Sequence, residues 1–319
     1  MSEATVFTPP HALNTAVLFL VFNRLDTTKQ VFEAIRQAKP PRLYVAADGA
    51  RANKEGEVDK TQAVRDYIMQ NVDWECEVKT LFQEDNLGCK YAVSGAIDWF
   101  FENEEMGIIL EDDCLPSQSF FWYCEALLNK YKNDEVIYLV SGDGRATSKV
   151  EISGDYSFTK YPMIWGWASW ARVWKKYDPE INDWLNQDDS FLDSISEKKS
   201  TQRFWKNIFN RMYKKEIDTW DYQFSYLLLA SQAKCIVPRI NLIKNIGFGE
   251  GATHTLDVDS ENANLESYDL NFPLQVVTNK KEEQLLNDFY DSEEFRSIGL
   301  IKRVINKLSR MLISRNLIK

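Results

Sequence analysis

The stretch Gly107-Ile108-Ile109-Leu110-Glu111-Asp112-Asp113 joins a continuous apolar run to three consecutive acids. An apolar run of this kind predicts a strand that is covered on both faces, as in a parallel sheet. Three adjacent carboxylates repel one another and resist burial, so their place at the end of a core strand indicates a bound cation or sugar. A solvated strand end, or acids favoured by the dipole of a following helix, would also explain the triplet.

A divalent metal ion fits the chemistry of this acidic triplet. Mg2+ and Mn2+ prefer carboxylate oxygens, usually take one or two of them from the protein, and fill their remaining positions with water and substrate phosphates. A carboxylate cluster at a strand end therefore suits a metal ion that carries a diphosphate.

Strands and helices alternate on both sides of the triplet. We expect strands at 16–22, 43–47, 77–82, 107–111 and 136–140, and helices at 26–39, 57–71, 90–101 and from Pro116 onward. This βαβα order predicts an α/β, Rossmann-like fold with a mostly parallel sheet covered by helices. Ligands of such sheets bind at the carboxyl ends of the strands, so Asp48 and Asp113 are expected to share one rim.

Size, charge and cysteine usage limit the class of protein. The 319 residues are enough for one large α/β domain or two closely joined halves. A formal net charge of -10 argues against nucleic-acid binding. Five scattered cysteines without a CxxC pair predict reduced thiols in a cytoplasmic protein. The apolar run 16–22 is too short for a signal peptide or a membrane span, so no export is expected.

The composition changes after the regular first part, which ends near residue 140. Residues 141–255 are rich in aromatics and are expected to form a second half built against the first, and 256–299 are expected to be a polar extension. Residues 300–319 combine basic and aliphatic residues without an acid, which predicts an amphipathic helix. Such a helix suits an anionic inner membrane surface, but it could equally cover the protein's own core or an oligomer interface.

Several short segments of the first half occur in a recognisable order. They are Arg24, Asp48, Asn86-Leu87-Gly88 and Glu111-Asp112-Asp113. This order resembles the donor-binding half of the GT-A glycosyltransferases, whose acidic DxD-type motif holds a metal-bound nucleotide sugar.

The resemblance continues into the second half and narrows to N-acetylglucosaminyltransferase I and its bacterial relatives. The similar segments are Gly166-Trp167-Ala168-Ser169-Trp170-Ala171-Arg172-Val173-Trp174, Trp220-Asp221, Cys235-Ile236-Val237-Pro238-Arg239-Ile240 and Phe248-Gly249-Glu250-Gly251-Ala252-Thr253-His254. They follow the family's order at similar spacings between residues 16 and 254. The resemblance implies one GT-A domain over 1–255, with a nucleotide-sugar half at 1–140 and an acceptor half at 141–255.

The resemblance also implies roles for the triplet and for Arg24. Asp113 would bind Mn2+ or Mg2+, which bridges the two phosphates of the donor. Asp112 would face the ribose, and Glu111 the transferred sugar. Arg24 would contact the diphosphate, a task that suits its planar and permanent charge. Without the resemblance, Arg24 could equally be a surface salt-bridge residue.

Two further positions are expected at the base. Asp48 matches the carboxylate that reads the uracil edge in the family. Lys90 occupies the position of a family histidine near that base, and this departure leaves the nucleotide open. Asn86-Leu87-Gly88 and the small residues after it could form a turn that approaches a ligand closely. The same pattern also fits an ordinary turn before a packed helix.

Asp221 is the expected catalytic base. In an inverting transfer the acceptor hydroxyl attacks opposite the leaving group, and a carboxylate on that face takes its proton. Trp220 beside it would exclude water and offer a flat surface to a sugar. Taken alone, this segment favours another interpretation, in which Asp218 and Asp221 cap the helix that follows.

Tryptophans and one glycine-rich loop complete the candidate site. Trp165, Trp167, Trp170 and Trp174 could line an acceptor groove or form a packed helix face, and we expect Trp170 and Trp174 in the core, with Trp167 nearer the substrate. The loop 247–254 could close over the donor and bring His254 to the phosphates or the metal, or leave it as a surface histidine.

The resemblance implies a metal-dependent, inverting transfer of a sugar, with UDP-GlcNAc as the candidate donor, to a glycan hydroxyl. A lipid-linked acceptor becomes reasonable if 300–319 binds a membrane. One alternative is a sugar-nucleotide nucleotidylyltransferase, although the glycine-rich loop of that class is missing at Phe22-Asn23-Arg24-Leu25-Asp26. Another is a carbohydrate-binding protein without turnover.

Overall fold

The computed structural model describes residues 7–248, 265–276 and 279–297. The strands are β1 (Val17–Val21), β2 (Arg42–Ala47), β3 (Glu77–Phe82), β4 (Met106–Glu111), β5 (Cys114–Pro116), β6 (Ile137–Ser141), β7 (Tyr156–Thr159), β8 (Trp167–Trp170), β9 (Lys234–Pro238) and β10 (Ile243–Asn245). The helices are α1 (Leu25–Ala38), α2 (Glu57–Asn71), α3 (Gly88–Asn103), α4 (Ser119–Lys130), α5 (Ala171–Trp174), α6 (Asp189–Ile195), α7 (Lys199–Tyr213), α8 (Asp221–Ala230) and α9 (Lys280–Glu293), with a 3-10 helix at Asn182–Asn186.

Eight strands form one sheet in the order β3-β2-β1-β4-β8-β6-β9-β7. The first four are parallel, β8 runs antiparallel between β4 and β6, and β7 lies antiparallel to β9. Four of the seven pairings described in this sheet are therefore parallel. The predicted α/β fold with a mostly parallel sheet covered by helices is confirmed.

The apolar runs form strands because the sheet is covered on both faces. All five residues of β1 are buried, as are the four central residues of β4. Helix α1 buries one face through Val31, Phe32 and Ile35, which keep helical spacing. It ends at Ala38, and the C-cap Lys39 has a left-handed backbone conformation and precedes Pro40.

The strand register brings the expected site residues to one edge. Leu20 of β1 lies between Ala46 of β2 and Glu111 of β4. Asp48 comes two residues after Ala46, and Arg24 is at the N-terminus of α1, just after β1. We call this edge, with the residues that follow β1, β2 and β4, the carboxyl rim.

The structure differs from the expectations at two elements. Pro116 does not open a helix, because it ends β5, which pairs with Ile243 of β10, and α4 begins at Ser119. The polar segment after 256 contributes helix α9, which packs against β7 and buries Tyr290 completely. In the described ranges, no helix has both the length and the apolar character that crossing a membrane requires.

Candidate active site

The acidic triplet lies at the centre of the carboxyl rim, around one guanidinium. Nη2 of Arg24 donates to Oδ2 of Asp113 at 2.9 Å and also contacts the carboxylate of Asp112. The side chain of Asp112 is buried, and its Oδ2 has no hydrogen-bond partner in the described structure. One guanidinium therefore pairs with two of the three adjacent carboxylates.

Two carboxyl groups of the triplet have raised pKa values, because burial disfavours their charged forms. Burial, and then the carboxylates of Asp113, Asp112 and Asp221, raise the pKa of Glu111 to about 8. Burial also raises the pKa of Asp112 to about 6, although Arg24 opposes the shift. Burial disfavours the charge on Arg24, but Asp112 and Asp113 together raise its pKa. A further cation would stabilise the charged form of this cluster.

The segment after β10 packs directly on the triplet. Ile246 donates its backbone N–H to the carbonyl of Asp113 at 2.8 Å. A Cβ on Gly247 would lie 2.1 Å from Oδ2 of Asp113 and 2.8 Å from Nη1 of Arg24, so any larger residue would have to displace these side chains. The glycine-containing loop 247–254 was singled out in the sequence, but the contact of Gly247 with Asp113 was not predicted.

Asp48 organises the turn before α3. Its Oδ1 accepts from the backbone N–H groups of Gly49 and Leu87, both at 2.9 Å. Its Oδ2 accepts from Nδ2 of Asn86 at 2.8 Å and from the N–H of Gly88 at 3.2 Å. Burial raises the pKa of Asp48, and these backbone donors oppose the shift. The carboxylate therefore fixes a loop, and its role at a uracil edge stays a prediction.

Lys90 makes contacts that the sequence did not indicate. Its ammonium donates to Oε1 of Glu180 at 2.6 Å, and its backbone N–H donates to Oδ1 of Asp218 at 3.0 Å. Tyr91 and Lys215 also contact Glu180, and the side chain of Lys90 is 8% exposed. The ammonium is thus engaged by a carboxylate that lies 90 positions further along the chain, and its place beside a base stays a prediction.

Trp220 does not present its ring to a sugar, which corrects the expectation. The residue is 2% exposed, and its ring stacks on Trp167 with centroids 5.6 Å apart. Trp167, expected nearer the substrate, is itself 1% exposed. Trp170 and Trp174 lie in the core as expected. The stacked, buried indole holds the segment before Asp221 against the core.

Asp221 is the first residue of α8, and its carboxylate accepts a hydrogen bond from Thr219. Trp220 occupies the N-cap position and makes no side-chain capping bond. Asp218, the other expected cap of this helix, hydrogen-bonds to the N-terminus of α3 instead. The capping interpretation therefore explains neither acid as the N-cap of α8.

Asp221 and the triplet act electrostatically on common groups. Burial, and then Glu111, Asp221, Asp218 and Asp48, raise the pKa of Cys89 to about 12. Asp221 also contributes to the raised pKa of Glu111. Cys89 of α3 is therefore within electrostatic range of both the expected base and the end of β4.

A divalent cation fits this rim if a substrate supplies part of its coordination. In residues 7–248 and the two later described ranges, no three His, Cys, Asp or Glu side chains form a ready ligand set. The unpartnered Oδ2 of Asp112 nevertheless shows that the charge of the triplet is incompletely satisfied. Mg2+ and Mn2+ commonly combine one or two carboxylates with substrate phosphates, and the rim offers that set.

Two predicted features lie outside the described residues. They are His254, with most of its loop, and the basic segment 300–319. Their predicted roles at the donor and at a membrane surface stay predictions.

Comparisons with known proteins give only distant likenesses. No protein-family model and no curated protein matches the chain. Among solved structures, HddC from Yersinia pseudotuberculosis matches at 9% identity over 46% of this chain and 57% of that chain, with a TM-score of 0.25. HddC complexed with GMP-PN matches at 10% identity over the same shares, with a TM-score of 0.26. This chain thus spans little more than half of HddC.

A longer match is the apo form of UDP-glucose pyrophosphorylase. It covers 72% of this chain and 93% of that chain at 8% identity, with a TM-score of 0.35. At these TM-scores the likenesses carry no argument about function, which has to come from the site.

Proposed function

We propose that this protein is a metal-dependent, inverting glycosyltransferase that moves a sugar from a UDP-sugar to a glycan hydroxyl. The observation that carries the proposal is the incompletely neutralised triplet at the carboxyl rim, with the carboxylate of Asp221 close enough to raise the pKa of Glu111. In this proposal a cation at the acidic triplet binds the donor, and Asp221 near the triplet is the base that an inverting transfer needs.

The donor side of the proposed site uses Arg24 and Asp113. In this structure the guanidinium of Arg24 pairs with Asp112 and Asp113, and we propose that the diphosphate of the donor contacts this guanidinium. Mn2+ or Mg2+ held by Asp113 would supply positive charge that stabilises the departing diphosphate. Arg24 would add two directed donors to the same phosphates. Asp112 and Glu111 are proposed at the ribose and the sugar, with UDP-GlcNAc as the candidate donor.

The acceptor side depends on Asp221. Its carboxylate would take the proton of the acceptor hydroxyl while the new bond to the anomeric carbon forms and the bond to the diphosphate breaks. Its hydrogen bond from Thr219 orients the carboxylate, and the buried Trp220 holds the start of α8 against the core. Asp221 thus lies on a rigid element, as the positioning of a base requires.

The domain organisation belongs to the same proposal. Residues 1–140 would bind the nucleotide sugar and 141–255 the acceptor, with 256–299 as an extension and 300–319 as a basic helix at the inner membrane surface. A lipid-linked glycan is then the proposed acceptor. Vesicles that contain anionic lipids should retain the full chain more strongly than a variant ending at 299, and equal retention would remove the membrane part.

A second candidate is a sugar-nucleotide nucleotidylyltransferase. UDP-glucose pyrophosphorylase, one of the distantly similar solved structures, is named as an enzyme of that class, but a likeness at a TM-score of 0.35 carries no argument for it. The segment Phe22-Asn23-Arg24-Leu25-Asp26 lacks the glycine-rich loop expected of such an enzyme after the first strand.

One experiment separates the candidates. The full chain is incubated with a panel of nucleotide sugars and Mn2+, and separately with UTP, sugar 1-phosphates and Mg2+. Release of UDP that stops when EDTA is added supports a transferase, and pyrophosphate production in the second mixture supports a nucleotidylyltransferase. Binding of sugars with neither product would point to a carbohydrate-binding protein and would contradict the proposal.

A further inference from the structure

The N-terminus of α3 joins the two halves of the candidate active site. From the first half, Asp48 accepts from the N–H groups of Leu87 and Gly88. From the second half, Asp218 accepts from the N–H of Lys90 at 3.0 Å, across 128 positions of sequence. The same helix end is therefore held by one carboxylate from each half.

Gly88 makes the close approach to Asp218 possible. Its φ is +79°, and a Cβ at this position would lie 2.9 Å from Oδ2 of Asp218. Any other residue would be strained in that backbone conformation and would press against the carboxylate. The contact is thus built from a glycine in the turn and an acid in the partner segment.

Asp218 lies three residues before Asp221, and the residues between them are fixed. Thr219 is buried, donates to the carboxylate of Asp221, and accepts from Nε2 of Gln223 at 2.7 Å through its carbonyl. The ring of Trp220 is packed in the core, and its carbonyl accepts from Tyr177 at 3.0 Å. A shift of Asp218 is therefore transmitted to Asp221 through a short segment with little freedom.

We propose that Asp218 is a positioning residue, which sets the distance between Asp221 and the donor side of the site by holding segment 218–221 on the N-terminus of α3. This inference rests on the proposed glycosyl transfer. It adds a residue that the family resemblance did not assign and that touches no reacting atom.

A second contact supports the same junction. Glu180 of the second half accepts from Nζ of Lys90 and from the hydroxyl of Tyr91, at 2.6 and 2.8 Å. It also pairs with Lys215 at 3.0 Å, three residues before Asp218. The first turn of α3 therefore meets the segment that leads into α8 at two places. Removing Asp218 alone should loosen this junction without separating the halves.

The test compares Asp218→Ala, Asp218→Asn and a control, Asp189→Ala, whose side chain is 88% exposed on α6. We expect Asp218→Ala to lower kcat by about 10- to 100-fold, because small misplacements of a catalytic group are costly. The KM for the donor should change by less than about threefold, since the donor contacts remain. Asparagine still offers an oxygen to the N–H of Lys90 and should restore most of kcat.

Other results would overturn the inference. Wild-type kcat in Asp218→Ala would show that the contact does not position the base. A rise in donor KM instead of a fall in kcat would make Asp218 a donor-binding residue. Equal losses in the alanine and asparagine variants would show that charge, rather than the hydrogen bond, matters.

Hydrogen exchange of the unliganded protein separates this inference from the proposed function. Asp218→Ala should speed amide exchange at 88–91 and at 219–224 together, with Asp189→Ala as the unchanged reference. If the wild-type protein turns over no nucleotide sugar, the proposed function fails, and the exchange experiment still judges the junction. Faster exchange in only one of the two segments would contradict it.

Discussion

Gly247→Ala tests whether the position of Asp113 controls metal-dependent binding. The new methyl group would lie 2.1 Å from Oδ2 of Asp113 and 2.8 Å from Nη1 of Arg24. A Cβ atom essentially never lies within 3.0 Å of a non-bonded heavy atom, so the Asp113 carboxylate has to move by roughly 1 Å. The backbone of Asp113 is restrained, because its carbonyl accepts a hydrogen bond of 2.8 Å from the N–H of Ile246. The side chain of Asp113 therefore has to rotate.

We expect Gly247→Ala to weaken metal-dependent binding more than it weakens the stability of the fold. Rotation of Asp113 weakens its 2.9 Å contact with Arg24 and misaligns the proposed metal ligand. We expect affinity for UDP in the presence of Mn2+ to fall by about tenfold or more, the usual effect of disturbing groups that orient a metal ligand. Turnover of the nucleotide sugar should fall by about 100-fold, as for a misplacement of this size.

The assay is titration calorimetry of UDP with and without Mn2+, together with the rate of UDP release. Gly95→Ala is the matched control, because Gly95 lies in α3 and a Cβ there would meet no atom within 4 Å. That variant should gain about 0.5–1 kcal/mol of stability and keep its activity. If Gly247→Ala binds Mn2+ and UDP as tightly as the wild-type protein, the proposed role of Asp113 is refuted.

Three other perturbations have defined outcomes. Asp221→Asn should keep UDP binding and lower sugar transfer by about 100- to 10,000-fold in a product assay, and full transfer would reject it as the base. Arg24→Ala should lower the melting temperature by about 5–10 °C, because Asp112 loses its cation, and added Mn2+ should restore part of the loss. The hydrogen bond from Arg51 is the main reason that the pKa of Glu57 is lowered to about 2 from its ordinary 4.5. The resulting stabilisation is complete above pH 4.5 and is lost as the pH falls toward 2, so Glu57→Gln should flatten the acid limb in urea unfolding.

The centre of the sheet could be predicted because its strands are continuous apolar runs. Strands β1, β2 and β4 lie within a residue or two of the predicted ranges, since burial on both faces leaves a local signal. Strand β3 also matches its predicted range, although it is partly exposed. The start of α4 was wrong because Pro116 pairs with Ile243, a partner that lies far along the chain. A local sequence pattern reports on residues that are near in sequence, and it does not show which distant segment will pair with them.

The candidate site could be predicted only in part. Asp48 and the triplet meet at one rim because the carboxyl ends of parallel strands share an edge. The burial of Trp220 was missed, since tryptophan spacing is the same for a core face and a ligand groove. The contact of Asp218 with α3 was missed as well, because a short-range cap is the commoner use of aspartate.

The sequence alone determined the α/β class and the edge of the sheet that gathers the acids, because both follow from periodicity and from the direction of parallel strands. The tertiary structure decided which of those acids have partners. Arg24 pairs with Asp112 and Asp113, and Asp218 holds α3, whereas one oxygen of Asp112 stays without a partner in the described structure. These outcomes depend on distances between segments far apart in the chain, and burial sets how strongly each charge is felt.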